Sequence, residues 1–180
     1  MLRAYAVVLA LVALASPAFT AEQLTPSWMT AHEAAKNVEM DVVAAYNPNN
    51  SNWNFNGYHD GNATVVVPEG WRVRIDFTTR DGNVPHSLVV IDDPGRDNLP
   101  LEAGREQTAF SRAYSKSPIQ GISAGDEDVI SFTAKRAGNY LWFCGVPGHG
   151  QSGMWIHFEV RSDADAPYMI VAEGAAPGRT

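Results

Sequence analysis

Cys144-Gly-Val-Pro-Gly-His149-Gly-Gln-Ser-Gly-Met154 places a thiol, an imidazole and a thioether at two equal spacings, with four residues in each gap. Glycine-rich segments containing Pro147 cannot continue as helix, so the spacing predicts a tight loop whose ends return to one point. Asn139-Tyr-Leu-Trp-Phe143 leads into this loop and Met154-Trp-Ile-His-Phe-Glu-Val160 leads out of it. Both flanks are aromatic and β-branched runs of strand length. Loop and flanks therefore read as one hairpin-like unit, and a β fold follows from it.

Three donors in one loop call for a fourth from elsewhere. His86 follows Pro85 and opens the apolar run Ser87-Leu-Val-Val-Ile91, at the edge of a predicted strand. Two imidazoles and a thiolate with a weak axial thioether form the ligand signature of a blue-copper site. Thiolate and thioether favour Cu(I) and imidazole suits Cu(II), so the mixed set tolerates both states. Zinc is the competing ion, but structural zinc sites are built from Cys and His without Met.

Working outward, the alternation of Val38, Met40 and Val42 with polar residues predicts a strand that ends at the turn Tyr46-Asn-Pro-Asn-Asn-Ser51. Trp53-Asn-Phe-Asn-Gly-Tyr58 mixes aromatic and polar residues and predicts a loop folded back onto the core. Ala63 to Val67 and Trp71 to Thr78 read as strands separated by a Pro68-Glu-Gly70 break of hairpin length. Asp92 to Gly125 has no sustained period and is long for a connection, so it is expected to cover part of the sheet or of the metal loop. Val129 to Ala134 reads as a further strand, and Tyr168 to Val171 as an extra one in the tail. Pro26 and Ser27 with Ala and Glu behind them predict a short helix within Thr25 to Lys36. The expected architecture is an all-β antiparallel sandwich with one short N-terminal helix.

The 180 residues are 45% hydrophobic, enough for one domain with its own core. Met1-Leu-Arg3, the apolar run Ala4 to Ala15 and Ser16-Pro-Ala-Phe-Thr-Ala21 carry the basic, apolar and small-residue regions of a secretory signal. The expected organisation is a signal over residues 1–20, an N-terminal extension over 21–37, the main domain over 38–160 and a tail over 161–180. The apolar run is shorter than the ~20 residues a membrane span requires, so the exported chain is not expected to span a membrane. Loss of Arg3 with the signal leaves 12 Lys and Arg against 20 Asp and Glu, a balance of −8. That balance argues against nucleic acid and anionic membrane as partners. Cys144 is the single cysteine, and ligation explains how a lone thiol persists outside the cytoplasm.

Other motifs carry less. His32, His59 and His157 read as surface or strand-face residues. Gly148-His-Gly-Gln-Ser-Gly153 has the letters of a dinucleotide loop without the helix that must follow. Gly125-Asp-Glu-Asp128 lacks the spacing of a calcium loop. Asn49-Asn-Ser51 and Asn62-Ala-Thr64 fit a glycosylation pattern. A cysteine nucleophile with a histidine base would leave Met154 without a purpose. A copper oxidase or nitrite reductase module needs further His clusters, and the chain has five histidines in all.

Ala44-Ala-Tyr-Asn47, Trp53-Asn-Phe-Asn-Gly57, Pro85-His-Ser-Leu-Val-Val90 and Cys144-Gly-Val-Pro-Gly-His149 with Ser152-Gly-Met154 resemble the cupredoxins. Within them they resemble the sulfocyanins, with rusticyanin a more distant relative. The resemblance covers about residues 38 to 160. It implies a Greek-key sandwich, one type 1 copper held by His86, Cys144, His149 and Met154, and one-electron shuttling between redox proteins such as a cytochrome or a terminal oxidase. It also implies that the Ser87 backbone N–H reaches the thiolate, and with the apolar Val146 and Pro147 this is expected to raise the potential. Gly145, Val146, Pro147, Gly148 and Gly153 are expected to form an apolar rim around a near-surface His149. An exported periplasmic or extracytoplasmic carrier is the reading that follows. A copper store or chaperone is the alternative.

Overall fold

Residues 23–175 are described by a computed structural model. The signal expected over residues 1–20 and the last residues of the tail lie outside them.

Alternation sets the strands. In β3 (Asn37–Ala44) Val38, Met40, Val42 and Ala44 are buried while Glu39 and Asp41 are exposed. In β5 (Arg72–Thr79) Val73, Ile75, Phe77 and Thr79 are buried between half-exposed or exposed residues. A period of two exposes one face of each strand and buries the other. These strands form a four-stranded sheet with β2 (Met29–His32) and β7 (Glu127–Thr133), in the order β2-β3-β5-β7. A six-stranded sheet packs against it in the order β1-β10-β4-β9-β8-β6. Its strands are β1 (Gln23–Leu24), β4 (Ala63–Pro68), β6 (Val89–Asp92), β8 (Gly138–Phe143), β9 (Trp155–Arg161) and β10 (Tyr168–Val171). Between the sheets Met40, Phe55, Ile75, Phe77, Leu88, Trp142, Ile156 and Phe158 pack into one core.

Two expectations need correction. No helix forms within Thr25–Lys36: the chain makes β2 and a single 3-10 turn at Glu33–Ala35, ended by Lys36 at φ 47°. Met29, opposite Met40 across the β2–β3 ladder, is 4% exposed, and pairing with the sheet edge overrides a weak helix preference. Secondly, β4 and β5 are not a hairpin. The Pro68–Trp71 break carries the chain from one sheet to the other, where β4 pairs with β9 and β5 with β3, both in parallel. The sandwich is therefore mixed, as a Greek-key crossover allows. By contrast β8 and β9 pair antiparallel, with Phe143 opposite Trp155, as the hairpin reading of the metal loop required.

The long connection between β6 and β7 behaves as a cover. Val89, Ile91, Leu141, Phe143, Trp155 and Ala103 form a second apolar cluster, joined by Leu99 and Tyr114. Bridges Val89↔Tyr114 and Ile91↔Thr108 stitch the connection onto β6. It also grips the metal loop: Gly148 N–H donates to Leu101 O (2.7 Å) and Ala103 N–H to Gly145 O (3.1 Å).

Candidate metal centre

Alternation along β8 turns Tyr140 and Trp142 into the main core, and Cys144 continues on that side. The loop closes where Cys144 N–H donates to Met154 O (3.1 Å), and Met154 N–H donates to His149 O (3.0 Å). Two glycines are required by close approach. A Cβ at Gly145 would stand 2.2 Å from Ala103 O, and one at Gly150 would stand 1.9 Å from Phe143 Cζ.

The structure brings His86, Cys144 and His149 together, with their ligand atoms all within 4.8 Å of one another. Cys144 Sγ lies 3.4 Å from His149 Nδ1. Met154 Sδ lies 3.2 Å from His86 Nδ1. Donors held about 2.0–2.3 Å from one ion stand roughly 3.3–3.7 Å apart; the Cys144–His149 edge falls in that range and the His86–Met154 edge just short of it. His86 and Met154 are fully buried, and His149 is 6% exposed. Among the described residues this is the one group of three or more such donors. His32, His59 and His157 stand apart from it, each beside an acidic residue: Glu39, Asp60 and Asp93.

Electrostatics match a soft cation. Burial pushes the Cys144 thiol up to about 11, against the pull of the Ser87 and Val146 backbone N–H groups. Without a cation the thiol stays protonated; a metal is the partner that makes the thiolate affordable in this setting. Burial lowers His149 to about 4, helped by repulsion from His86. Burial also lowers His86, against the stabilising Asp81 carboxylate. Both imidazoles are thus held neutral, the form that ligates.

Three contributors were not assigned to the site from the sequence. Asp81 Oδ2 stands 3.1 Å from His86 Nε2; an Nε2–H donating there leaves Nδ1 free toward the cluster, the arrangement that orients a ligand. Burial raises the Asp81 carboxyl, but hydrogen bonds from Asn83, His86 and Val84 outweigh it and hold the carboxyl below its usual range. Trp53 packs edge-on against His149, with ring centroids 4.0 Å apart, and lies 5.7 Å from the His86 ring. The third is the buried Asn54, which fixes the loop carrying Trp53. Its Oδ1 accepts from Tyr46 N–H and Gly57 N–H, and its Nδ2 donates to Asn47 O and Asn49 O. Asn50 Nδ2 ties the same loop to the metal loop through Ser152 O (2.9 Å).

Ser87 is held through both its backbone and its side chain. Its backbone N–H points to Cys144 Sγ at 3.5 Å. Its Oγ donates to Pro118 O (2.6 Å) and accepts from Gly145 N–H (2.9 Å). The expected apolar rim is narrower than the sequence suggested. Gly145 and Val146 are buried, Pro147 is exposed and Gly148 is half-buried. Leu101, 59% exposed, joins them from the long connection. His149 itself is 6% exposed, with the Trp53 ring packed against it.

A two-sheet sandwich closed at one end around a buried His–Cys–His set, with a thioether alongside, defines a cupredoxin, the blue-copper class. The profile described as a sulfocyanin (SoxE) domain matches residues 27–171, and the chain belongs to the sulfocyanin family. Its cofactor is one type 1 copper. The sulfocyanin of Sulfolobus acidocaldarius is 27% identical over 139 residues, covering 76% of this chain and 69% of the relative. A rusticyanin structure aligns with TM-score 0.50 at 17% identity, over 70% of this chain and 78% of the other; at that identity it bears on the fold alone. Auracyanin A of Chloroflexus aurantiacus aligns with TM-score 0.48 at 20% identity, over 69% of this chain and 99% of the other.

Proposed function

We propose that the chain is a one-electron carrier outside the cytoplasm. In this reading His86 and His149 through Nδ1, Cys144 through Sγ and Met154 through Sδ hold the copper, which supplies a Cu(I)/Cu(II) couple. The observation that carries it is a donor set buried on every side and fixed by loop, sheet and connection. Such packing opposes movement of the ligands, so an electron can arrive or leave with little rearrangement. Asp81 orients His86, Ser87 N–H steadies the sulfur, and Trp53 keeps water from His149. The exposed Pro147 and Leu101 supply a small apolar contact beside the site, suited to brief docking of a redox protein such as a cytochrome or terminal oxidase.

No helix among the described residues is long and apolar enough to cross a membrane, and the basic-apolar-small pattern of residues 1–21 supports export. Adding Cu(II) to the purified protein is expected to give an intense blue band that is lost in Cys144→Ser, together with reversible one-electron reduction. Readily exchanged Cu(I) with no such band would instead identify a copper store or chaperone.

A further inference from the structure

The opposite end of the sandwich from the metal cluster carries a concentration of positive charge that the metal chemistry does not use. β5 begins at Arg72 and ends at Thr79, two residues before the Asp81 that meets His86. At about 3.3 Å per residue the start of β5 lies roughly 25 Å from the metal end. There a groove of about 540 Å³ is lined by Arg72, Arg112, Lys135 and Arg136 together with Ser111 and Thr133. A second groove of about 470 Å³ adjoins it, sharing Arg72 and Thr133 and adding Lys36 and Arg74. Six of the chain's 13 Lys and Arg residues therefore gather at this pole of a protein whose net charge is −7.

Part of this charge is neutralised locally, and part is not. Arg74 is paired with Asp76 and Arg136 with Asp92. Among the described residues no ion pair is formed by Arg72, Arg112 or Lys135. Glu39 is the one carboxylate among the described residues that lines either groove, and it lies 3.7 Å from His32 Nε2. Arg112 is presented by a turn closed by Ala113 N–H to Phe110 O (3.1 Å), at a φ of 65° that non-glycine residues rarely adopt. Sheet register explains how sharply the charge is confined. Arg72 stands beside Asn37 and Thr133, but four residues further along the strand Asp76 stands beside Asp41.

We propose that this groove is a docking site for a carboxylate-rich protein segment, which it would hold while the metal end stays free. Guanidinium groups flanked by hydroxyls match carboxylates in charge and in hydrogen-bonding geometry. The rest of the acidic surface repels such a segment, so attraction at one pole also sets orientation. A flat anionic bilayer fits less well, because a chain of net charge −7 is repelled by an extended anionic surface more than by a short segment that reaches only the groove. The inference does not depend on the electron-carrier reading, since the two ends share no residue.

The test uses the copper-loaded full chain and a fluorescent hexaglutamate peptide, followed by anisotropy at low and high salt. Saturable, salt-sensitive binding is expected. Replacing Arg72, Arg112 and Lys135 together by Gln is expected to weaken it roughly tenfold or more, while Arg96→Gln, at an exposed site outside the grooves, leaves it within about twofold. An intact blue band and circular dichroism establish that each variant is folded. Absence of saturable binding overturns the proposal, as does equal weakening in the triple variant and in Arg96→Gln. Inorganic phosphate competing as tightly as the peptide would make the groove a small-anion site. Binding to phosphatidylglycerol vesicles without peptide binding would make it a membrane contact. Either result also overturns the proposal.

Discussion

Removing the Trp53 ring tests whether the copper end is sealed by a side chain that is not itself a ligand. In Trp53→Ala the His149 ring loses an aromatic neighbour 4.0 Å away and the His86 ring one at 5.7 Å. A fully buried Trp costs about 3–5 kcal/mol on truncation; Trp53 is half-buried, so the apo protein is expected to lose about 2 kcal/mol. The loop should survive, because Asn54 and Asn50 hold its backbone independently of the ring. Water reaching His149 favours the more highly charged oxidised site. A partly hydrated imidazole is worth about 1 kcal/mol here, and for one electron that lowers the potential by about 40 mV. Spectroelectrochemical titration of the blue band reads the shift directly, and urea unfolding of the apo form reads the stability. A potential within about 10 mV of the parent, alongside the expected loss of stability, would refute the reasoning: Trp53 would then pack without shielding.

Asp81→Ala removes the acceptor at His86 Nε2 and is expected to lower copper affinity about 10–100-fold, measured by competition with a chelator; unchanged affinity would show that packing alone orients the ring. Ser87→Asp puts a carboxylate where Oγ sits 3.8 Å from Cys144 Sγ, which favours the oxidised site and is expected to lower the potential; no shift in the redox titration would remove Ser87 from the account. Apo-protein stability should fall as pH drops from 6.5 toward 4. His149 titrates at about 4 when folded and near 6.5 when unfolded, so below pH 6.5 the unfolded chain takes the proton first, and the loss reaches on the order of 3 kcal/mol. Urea midpoints that stay flat across that range would count against the burial of a neutral His149.

The sandwich and the metal loop were both legible because their signals are local. Alternation in Val38–Val42 and Val73–Phe77 marks buried faces, and the spacing of Cys144, His149 and Met154 needs only one loop to close. What failed depends on pairing. The Thr25–Lys36 stretch has helix-start signals, yet its fate was decided by an open sheet edge beside Met40. Pro68–Trp71 has hairpin length, yet it crosses between sheets, because each flanking strand finds a better-buried partner far away in sequence.

By itself, then, the order of residues determined the β class, the loop and the chemistry of its donors, since side-chain periodicity and ligand type are properties of short segments. His86 was named from its place at a strand edge, but only the tertiary structure decided how closely it meets that loop, that Asp81 and Trp53 flank the two imidazoles, and that six basic residues from separate segments share one pole. Those are distances between parts of the chain remote in sequence, set by how two sheets pack, and no local pattern encodes them.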